Sequence, residues 1–227
     1  MYKDRRDAGR TLAQALAALP GLHQAIVLAL PRGGVPVACE IAHAFHLPLD
    51  ILAVRKLGAP GQPELALGAI ASGGAVTFNS DILRHLRLSA ATLQSIQDHA
   101  RRELEDLEAR LREGRPPLSI EGRTVILVDD GLATGASMRA AARAVRPRAH
   151  SLILAAPVGA PSTCVELLRE ADHVVCPLIP DPLDAVGQYY LDFSQTTDDE
   201  VRRLLAAARR DLLSPAPAAP PTSLSRH

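Results

Sequence analysis

The chain of 227 residues has no tryptophan, and aromatic residues make up only 3% of it, so its core must be aliphatic and alanine-rich. Three scattered cysteines with no CxxC pair disfavour both a disulfide framework and a zinc site. Lys and Arg together number 25, as do Asp and Glu, so no global field would attract nucleic acid or an anionic membrane. No apolar run reaches the roughly 18 residues of a membrane span, and the charged N-terminus is unlike a signal peptide. We therefore expect a cytoplasmic protein with no nucleic-acid or membrane partner.

Short apolar runs alternate with segments of helical periodicity, which predicts an α/β fold with a mostly parallel sheet. The predicted strands are 25–30, 49–54, 124–129, 150–156 and 173–178, and the predicted helices are 5–19, 35–45, 89–113, 136–145, 162–171 and 198–212. The pairs Asp106–Arg110 and Glu108–Arg112 on helix 89–113 indicate a solvated face.

One domain is expected over residues 1–213, with an N-terminal helix at 5–19, a lid loop at about 57–80 and a C-terminal hood at about 179–196. Frequent glycine and proline in residues 57–74 exclude one regular element there and predict a mobile loop with short strands. The proline-rich residues 214–227 are predicted to be a disordered tail.

A strand that ends in two acidic residues is the strongest functional signal. Residues 125–128 run into Asp129-Asp130, and a loop of small residues then leads directly into a helix. Small residues let backbone N–H groups close around a phosphate, and a helix N-terminus favours an anion. The carboxylates would repel that phosphate, so they suit the hydroxyls of an attached sugar. The pattern predicts a ribose 5-phosphate site whose phosphate is held by Ala133, Thr134, Gly135, Ala136 and Ser137.

The pattern GxxxxGK[ST] is missing from this loop and GxGxxG is missing from the chain, which disfavours ATP-hydrolysing and dinucleotide-binding folds. Instead, residues 125–137 closely resemble the phosphoribosyl pyrophosphate (PRPP) motif of type I phosphoribosyltransferases. In that family the acidic pair binds the ribose diol and the following loop binds the 5′-phosphate. The stretch from Asp4 to about Leu205 is also similar to a group of bacterial phosphoribosyltransferases with PRGGVPVA, VRKLGAPG, VILVDDGLATGA and DFSQ segments.

The resemblance implies a type I phosphoribosyltransferase fold, in which helices flank a twisted, mostly parallel sheet and a small hood or lid covers the site. It also implies PRPP as the donor and a homodimer. Mg²⁺ would bridge the pyrophosphate of PRPP, with Asp129 and Asp130 as candidate protein ligands.

Two further segments are predicted to bind the pyrophosphate. Leu30 to Gly34 resembles the family's pyrophosphate loop, in which Arg32 would donate two hydrogen bonds and Gly33 and Gly34 would allow close backbone approach. Arg55 and Lys56, at a strand end, resemble the pair that adenine phosphoribosyltransferases carry ahead of their catalytic loop. Two cations there could neutralise the departing pyrophosphate.

The catalytic candidates are Asp129, Asp130, Lys56 and Glu64. Glu64 lies in the predicted lid, where a carboxylate could take a proton from the acceptor or favour the cationic sugar; the alternative is a solvated loop acid.

Acceptor recognition is assigned to Val186, Tyr189 and Asp192, because residues 184–193 partly resemble the base-binding end of hypoxanthine-guanine phosphoribosyltransferases. Asp184-Ala185 replaces the aromatic residue that those enzymes stack on purines, which disfavours a purine acceptor. Tyr189, Tyr190 and Phe193 form either a stacking platform or a packing cluster, and packing is favoured for at least two of them.

The favoured function is Mg²⁺-dependent transfer of phosphoribose from PRPP to a nitrogen acceptor, such as a nucleobase, with release of pyrophosphate. The alternative is a non-catalytic sensor that binds PRPP and regulates a partner. A sugar or nucleotide phosphatase is less favoured, because it would need a nucleophile or a metal-carboxylate cluster.

Overall fold

The computed structural model describes residues 1–86 and 88–214, without the side chains of residues 63, 64, 80 and 81. The predicted tail therefore lies outside the described residues, except for Ser214. The strands are β1 (Ile26–Ala29), β2 (Leu49–Ile51), β3 (Val54–Ala59), β4 (Gln62–Ala71), β5 (Val76–Phe78), β6 (Thr124–Val128), β7 (Ser151–Ala155) and β8 (His173–Val175). The helices are α1 (Arg5–Leu16), α2 (Gly34–Phe45), α3 (Ser80–Leu86), α4 (Ala90–Arg112), α5 (Ala136–Val145), α6 (Pro161–Leu167) and α7 (Asp198–Leu213).

Five strands form a parallel sheet in the order β2-β1-β6-β7-β8. Its central strands are buried on both faces, which is why their sequences are continuous apolar runs. One face packs on α1, α2 and α7, and the other packs on α5 and α6. The predicted α/β fold with a mostly parallel sheet is confirmed.

The predicted lid loop is instead a three-stranded antiparallel sheet of β3, β4 and β5, which we call the small sheet. Pro60 and Gly61 form the turn between β3 and β4, and Gly61 has a φ of 73°. Proline followed by a glycine of positive φ is typical of a type II turn, so these two residues join strands here. Gly68 lies where β4 and β5 meet, and a Cβ there would lie 2.0 Å from the Thr77 carbonyl oxygen. The short strands expected in this segment are present as β3 and β5, but β4 has ten residues, so paired strands replace most of the expected loop.

The prediction of a solvated face on α4 is wrong at Arg112, whose side chain is only 5% exposed. Arg112 Nε donates to Asp50 Oδ1 at 2.9 Å, and Nη2 donates to the Ile51 carbonyl at 2.7 Å. Its predicted partner Glu108 lies 3.1 Å from Nη1, and burial raises the pKa of this glutamate. The contacts of Arg112 with Asp50 and Ile51 therefore anchor α4 to the end of β2 inside the protein.

Within the described ranges, no helix combines the length and apolarity needed to cross a membrane. All three cysteines are free, and Cys164 is buried. Cys164 and Cys176 lie side by side against Gly159, although 11 residues separate them in the sequence.

Candidate functional site

Two loops meet at the carboxyl edge of the parallel sheet because β1 and β6 are neighbours. Ala29 is paired with Val128, and the Leu30 N–H donates to the Val128 carbonyl at 2.8 Å. The loop 31–34 follows β1 and the acidic pair follows β6, so both predicted binding segments leave the sheet at the same place. Open α/β sheets bind their ligands at this edge.

The glycines of the loop 31–34 lie directly against the acidic pair. A Cβ on Gly33 would lie 2.0 Å from Asp130 Oδ2, and one on Gly34 would lie 2.6 Å from the Val128 carbonyl oxygen. The sequence predicted that both glycines would bring backbone close to a ligand. In the structure they bring the two loops together, and α2 begins at Gly34.

The acidic pair is held by protein groups at several points. Asp129 Oδ1 accepts a hydrogen bond of 2.9 Å from the Asp130 N–H, and the Tyr190 hydroxyl donates to the Asp130 carbonyl at 2.6 Å. Burial, followed by the neighbouring charge of Asp130, raises the pKa of Asp129 well above its usual value. Burial and the charge of Asp130 also raise the pKa of Tyr190, so this phenol stays a neutral donor.

The predicted phosphate loop joins β6 to the N-terminus of α5. Gly135 is the N-cap of α5, with a φ of 66°, and Ala133, Thr134, Ala136 and Ser137 are exposed. The Thr163 hydroxyl, from α6, donates to the Ala133 carbonyl at 2.6 Å and so holds the loop. An exposed loop of small residues at the N-terminus of a ten-residue helix is suited to an anion.

The three predicted acceptor residues, Val186, Tyr189 and Asp192, differ in their contacts. Val186 packs over Gly131, where a Cβ would lie 2.3 Å from Val186 Cγ1. Tyr189 packs into an apolar cluster with Tyr2, so the expected packing role fits it better than stacking on a ligand. Asp192 is exposed and accepts a hydrogen bond from the Ser194 N–H, which lowers the pKa of Asp192.

The other aromatic residues of the hood also pack. Tyr190 is 6% exposed, and its ring centroid lies 5.5 Å from that of Tyr2 and 4.9 Å from that of Phe193. The preference for packing over a stacking platform therefore holds for Tyr190 as well as Tyr189.

The predicted pyrophosphate cations do not converge. Arg32 Nε donates to Asp198 Oδ1 at 2.6 Å, at the start of α7. Arg55 and Lys56 are consecutive residues of β3, so their side chains leave opposite faces of the small sheet. In this structure the two side chains therefore do not face one ligand, and of the two only Lys56 lines the cavity beside α5.

A cavity of about 520 Å³ lies between the small sheet and α5. Lys56 lines it from the sheet and Ser137 from the first turn of the helix. The structure thus brings one predicted cation next to the predicted phosphate loop. The backbone of Glu64 lies in β4, but its side chain is outside the described part of the chain.

Arg5 is a residue of the candidate site that the sequence did not reveal. It lies 125 positions before Asp130, yet Arg5 Nε donates to Asp130 Oδ2 at 2.8 Å. Arginine near the start of an amphipathic helix is ordinarily a solvated residue, so no local pattern distinguishes it.

Among the side chains that the structure describes, no three metal-binding groups cluster together. The acidic pair supplies two carboxylates, and one of them already accepts a bond from Arg5. Such a site fits a cation that takes most of its oxygen ligands from a bound phosphate and from water, as Mg²⁺ does.

A parallel sheet whose central strand ends in an acidic pair, followed by a loop of small residues and a helix N-terminus, belongs to the class of open α/β folds that bind ligands at the carboxyl ends of their strands. The phosphoribosyl transferase domain model matches residues 2–191. The chain therefore belongs to this family, as the sequence motifs predicted.

Known relatives agree with this assignment. Two proteins from strains of Mycobacterium tuberculosis, both named "putative phosphoribosyl transferase", are 46% identical over 212 residues, which is 93% of this chain. The match covers 48% of each relative, so the chain spans about half the length of the curated relatives it matches. The crystal structure of the protein TT1426 from Thermus thermophilus is 43% identical, with a TM-score of 0.80 over 91% of this chain and 98% of that one.

Proposed function

We propose that this domain transfers the 5-phosphoribosyl group of PRPP to a nitrogen acceptor and releases pyrophosphate. The observation that supports it most is the meeting of the acidic pair, the phosphate loop and the loop 31–34 at one edge of the sheet. A ribose 5-phosphate carries a diol and a phosphate on one sugar, and the acidic pair and residues 133–137 follow each other closely between the end of β6 and the first turn of α5.

The reaction breaks the bond between C1 of the ribose and the pyrophosphate oxygen, and the pyrophosphate leaves with the electron pair. The acceptor nitrogen donates its lone pair to C1 and loses a proton to a base or to water. Because C1 becomes cationic in between, as in glycoside cleavage, positioning and charge stabilisation supply most of the rate.

In this scheme Asp129 and Asp130 hold the diol, and residues 133–137 with the N-terminus of α5 hold the 5′-phosphate. The loop 31–34 and Lys56 would bind the pyrophosphate. Glu64 remains a candidate for the proton transfer.

Mg²⁺, when bound, would neutralise the departing pyrophosphate. Most of its ligands would be phosphate oxygens and water, and Asp129 and Asp130 are the protein groups that could hold it. The acceptor would lie against Val186, on the side of the acidic pair where the hood packs over Gly131. A nucleobase fits the family, but Tyr189 and Tyr190 pack within the hood, and Phe193, although 37% exposed, already has the guanidinium of Arg5 over its ring.

The test has two stages. Calorimetry measures PRPP binding with Mg²⁺ for the wild type, for the double variant Asp129→Asn/Asp130→Asn, and for Asp106→Asn, an exposed acid on α4 that serves as the control. A pyrophosphate-release assay then screens free nucleobases and small amines as acceptors. We expect binding to be lost only in the double variant and release to require one of the acceptors. Normal binding by the double variant would overturn the proposed site.

A PRPP sensor is the second candidate, and one observation favours it. Arg32 is engaged by Asp198, and Arg55 lies on the opposite face of β3 from Lys56, so the pyrophosphate cations expected of an enzyme are not assembled. PRPP binding that depends on the acidic pair, without turnover on any acceptor, would select the sensor.

A further inference from the structure

Arg5 reaches the proposed sugar site from the other end of the chain. It is the first residue of α1, whose N-terminus is capped by Asp4 accepting from the Asp7 N–H. The ion pair between Arg5 Nε and Asp130 Oδ2 is 2.8 Å long, and the two side chains are only 12% and 17% exposed. A pair so shielded from water keeps more of its interaction energy than a surface pair.

The guanidinium is held by two contacts besides Asp130. Its Nη1 donates to the Ser194 carbonyl at 2.7 Å, and its central carbon lies 3.9 Å from the centroid of the Phe193 ring. Phe193 and Ser194 belong to the DFSQ segment, so this segment supports Arg5 from behind. The orientation of the guanidinium is therefore set by three groups, and it acts as a fixed donor towards Asp130.

Asp130 is fixed in turn. Gly33 lies against its Oδ2, where even a methyl group would not fit, and the Tyr190 hydroxyl binds its backbone carbonyl. A carboxylate can accept about four hydrogen bonds, so the bond from Arg5 leaves capacity for sugar hydroxyls. Arg5 also offsets the charge of two consecutive carboxylates that would otherwise repel each other.

We propose that Arg5 is a positioning residue that holds Asp130 for the ribose diol and thereby sets the preference of the site for ribose over 2-deoxyribose. This inference rests on the proposed function. It assigns a role to α1 and to the DFSQ segment: they form the support of the diol-binding carboxylate.

Loss of Arg5 should weaken the binding of one sugar group above all, the 2-hydroxyl of the ribose. Without Arg5, Asp130 loses the donor that orients it, and its bond to the sugar weakens. Because 2-deoxyribose lacks the 2-hydroxyl, its binding depends less on that carboxylate. A general loss of stability would instead weaken both sugars equally.

The experiment measures the dissociation constants of ribose 5-phosphate and 2-deoxyribose 5-phosphate by calorimetry on the full chain. We expect the wild type to prefer ribose 5-phosphate by about 10- to 100-fold, which corresponds to one hydrogen bond to a charged group. Arg5→Met should bring this ratio close to one. Arg5→Lys should restore part of it, because an ammonium can pair with Asp130 but lacks the planar fork that binds Ser194 and stacks on Phe193.

Two further variants control for folding and for charge. Arg6→Met removes the neighbouring cation, which is 54% exposed and 3.9 Å from Glu40, and should leave the ratio unchanged. Phe193→Leu removes the support of the guanidinium but keeps Arg5 and Asp130, and should lower the ratio less than Arg5→Met does. It also provides the test if Arg5→Met does not fold.

The outcomes separate the two proposals. If the wild type binds neither sugar phosphate, the proposed function is wrong and the inference falls with it. If the wild type prefers ribose and the Arg5 and Phe193 variants keep that preference, only the inference is wrong.

Discussion

The buried ion pair of Arg112 and Asp50 supports a quantitative prediction. Arg112→Met keeps the length and apolar stem of the side chain but removes its charge. Asp50 is only 1% exposed, so its carboxylate would stay in the interior without its cation. Removing one partner of such a pair costs roughly 3–5 kcal/mol, because the other charge is left uncompensated.

The structure places the expected loss near the lower end of that range. Asp50 also accepts hydrogen bonds from the backbone N–H groups of Ile51 at 2.8 Å and Leu118 at 2.9 Å, and both remain in the variant. We therefore expect a loss of about 3 kcal/mol, a large fraction of a total of roughly 5–15 kcal/mol. At about 2–4 °C per kcal/mol for a domain of this size, the melting temperature should fall by roughly 6–12 °C.

Urea denaturation followed by circular dichroism measures the free energy of unfolding. Arg110→Met on the same helix is the matched control: its side chain is 53% exposed and 3.6 Å from Asp198, so less than about 1 kcal/mol should be lost. Asp50→Asn added to Arg112→Met should recover part of the loss by removing the stranded charge. If Arg112→Met costs no more than Arg110→Met, the reasoning is refuted.

Three further predictions concern the surroundings of the site and the sheet. Gly131→Ala should lower the free energy of unfolding by about 1–3 kcal/mol, because the added Cβ overlaps Val186. Adding Val186→Ala to this variant should recover most of the loss. A double variant no more stable than Gly131→Ala would contradict this contact. Thr163→Val should weaken ribose 5-phosphate binding about 3- to 10-fold by freeing the phosphate loop, as calorimetry can test, whereas Thr163→Ser should bind normally. Hydrogen bonds, chiefly from Arg146, lower the pKa of Asp172 from 3.8 to about 2. The ionised carboxylate therefore stabilises the fold above about pH 4, and this contribution to stability is lost as the pH falls towards 2. Asp172→Asn should therefore be less stable than the wild type at pH 7 in urea denaturation and equally stable near pH 2; a difference that does not change with pH would exclude this cause.

The core strands and the proposed donor site could be predicted because their signals are local. A strand buried on both faces must be apolar throughout, as residues 125–128 are, and an anion loop needs small residues between a strand and a helix. The order of residues along 125–137 therefore predicts both the strand, loop and helix that the structure contains and the ligand chemistry that we propose for them.

The sequence predicted short strands in this segment but not their pairing into the small sheet, because glycine has more than one structural use. Gly61 does mark a turn, but Gly68 is required by the close approach of two strands, and composition alone does not distinguish these cases. The separation of Arg55 and Lys56 follows from the strand, since consecutive residues of a strand face opposite sides. Their adjacency in the sequence suggested a joint role that the extended backbone prevents.

The sequence by itself determined the family, the order of the core elements and the donor half of the proposed site, because these depend on patterns within about fifteen consecutive residues. Only the tertiary structure decided which charges are buried together. Arg112 and Asp50 are 62 positions apart, and Arg5 and Asp130 are 125 apart. An arginine on an amphipathic helix has the same local sequence signal whether its guanidinium meets water or a carboxylate, and the packing of distant elements settles which.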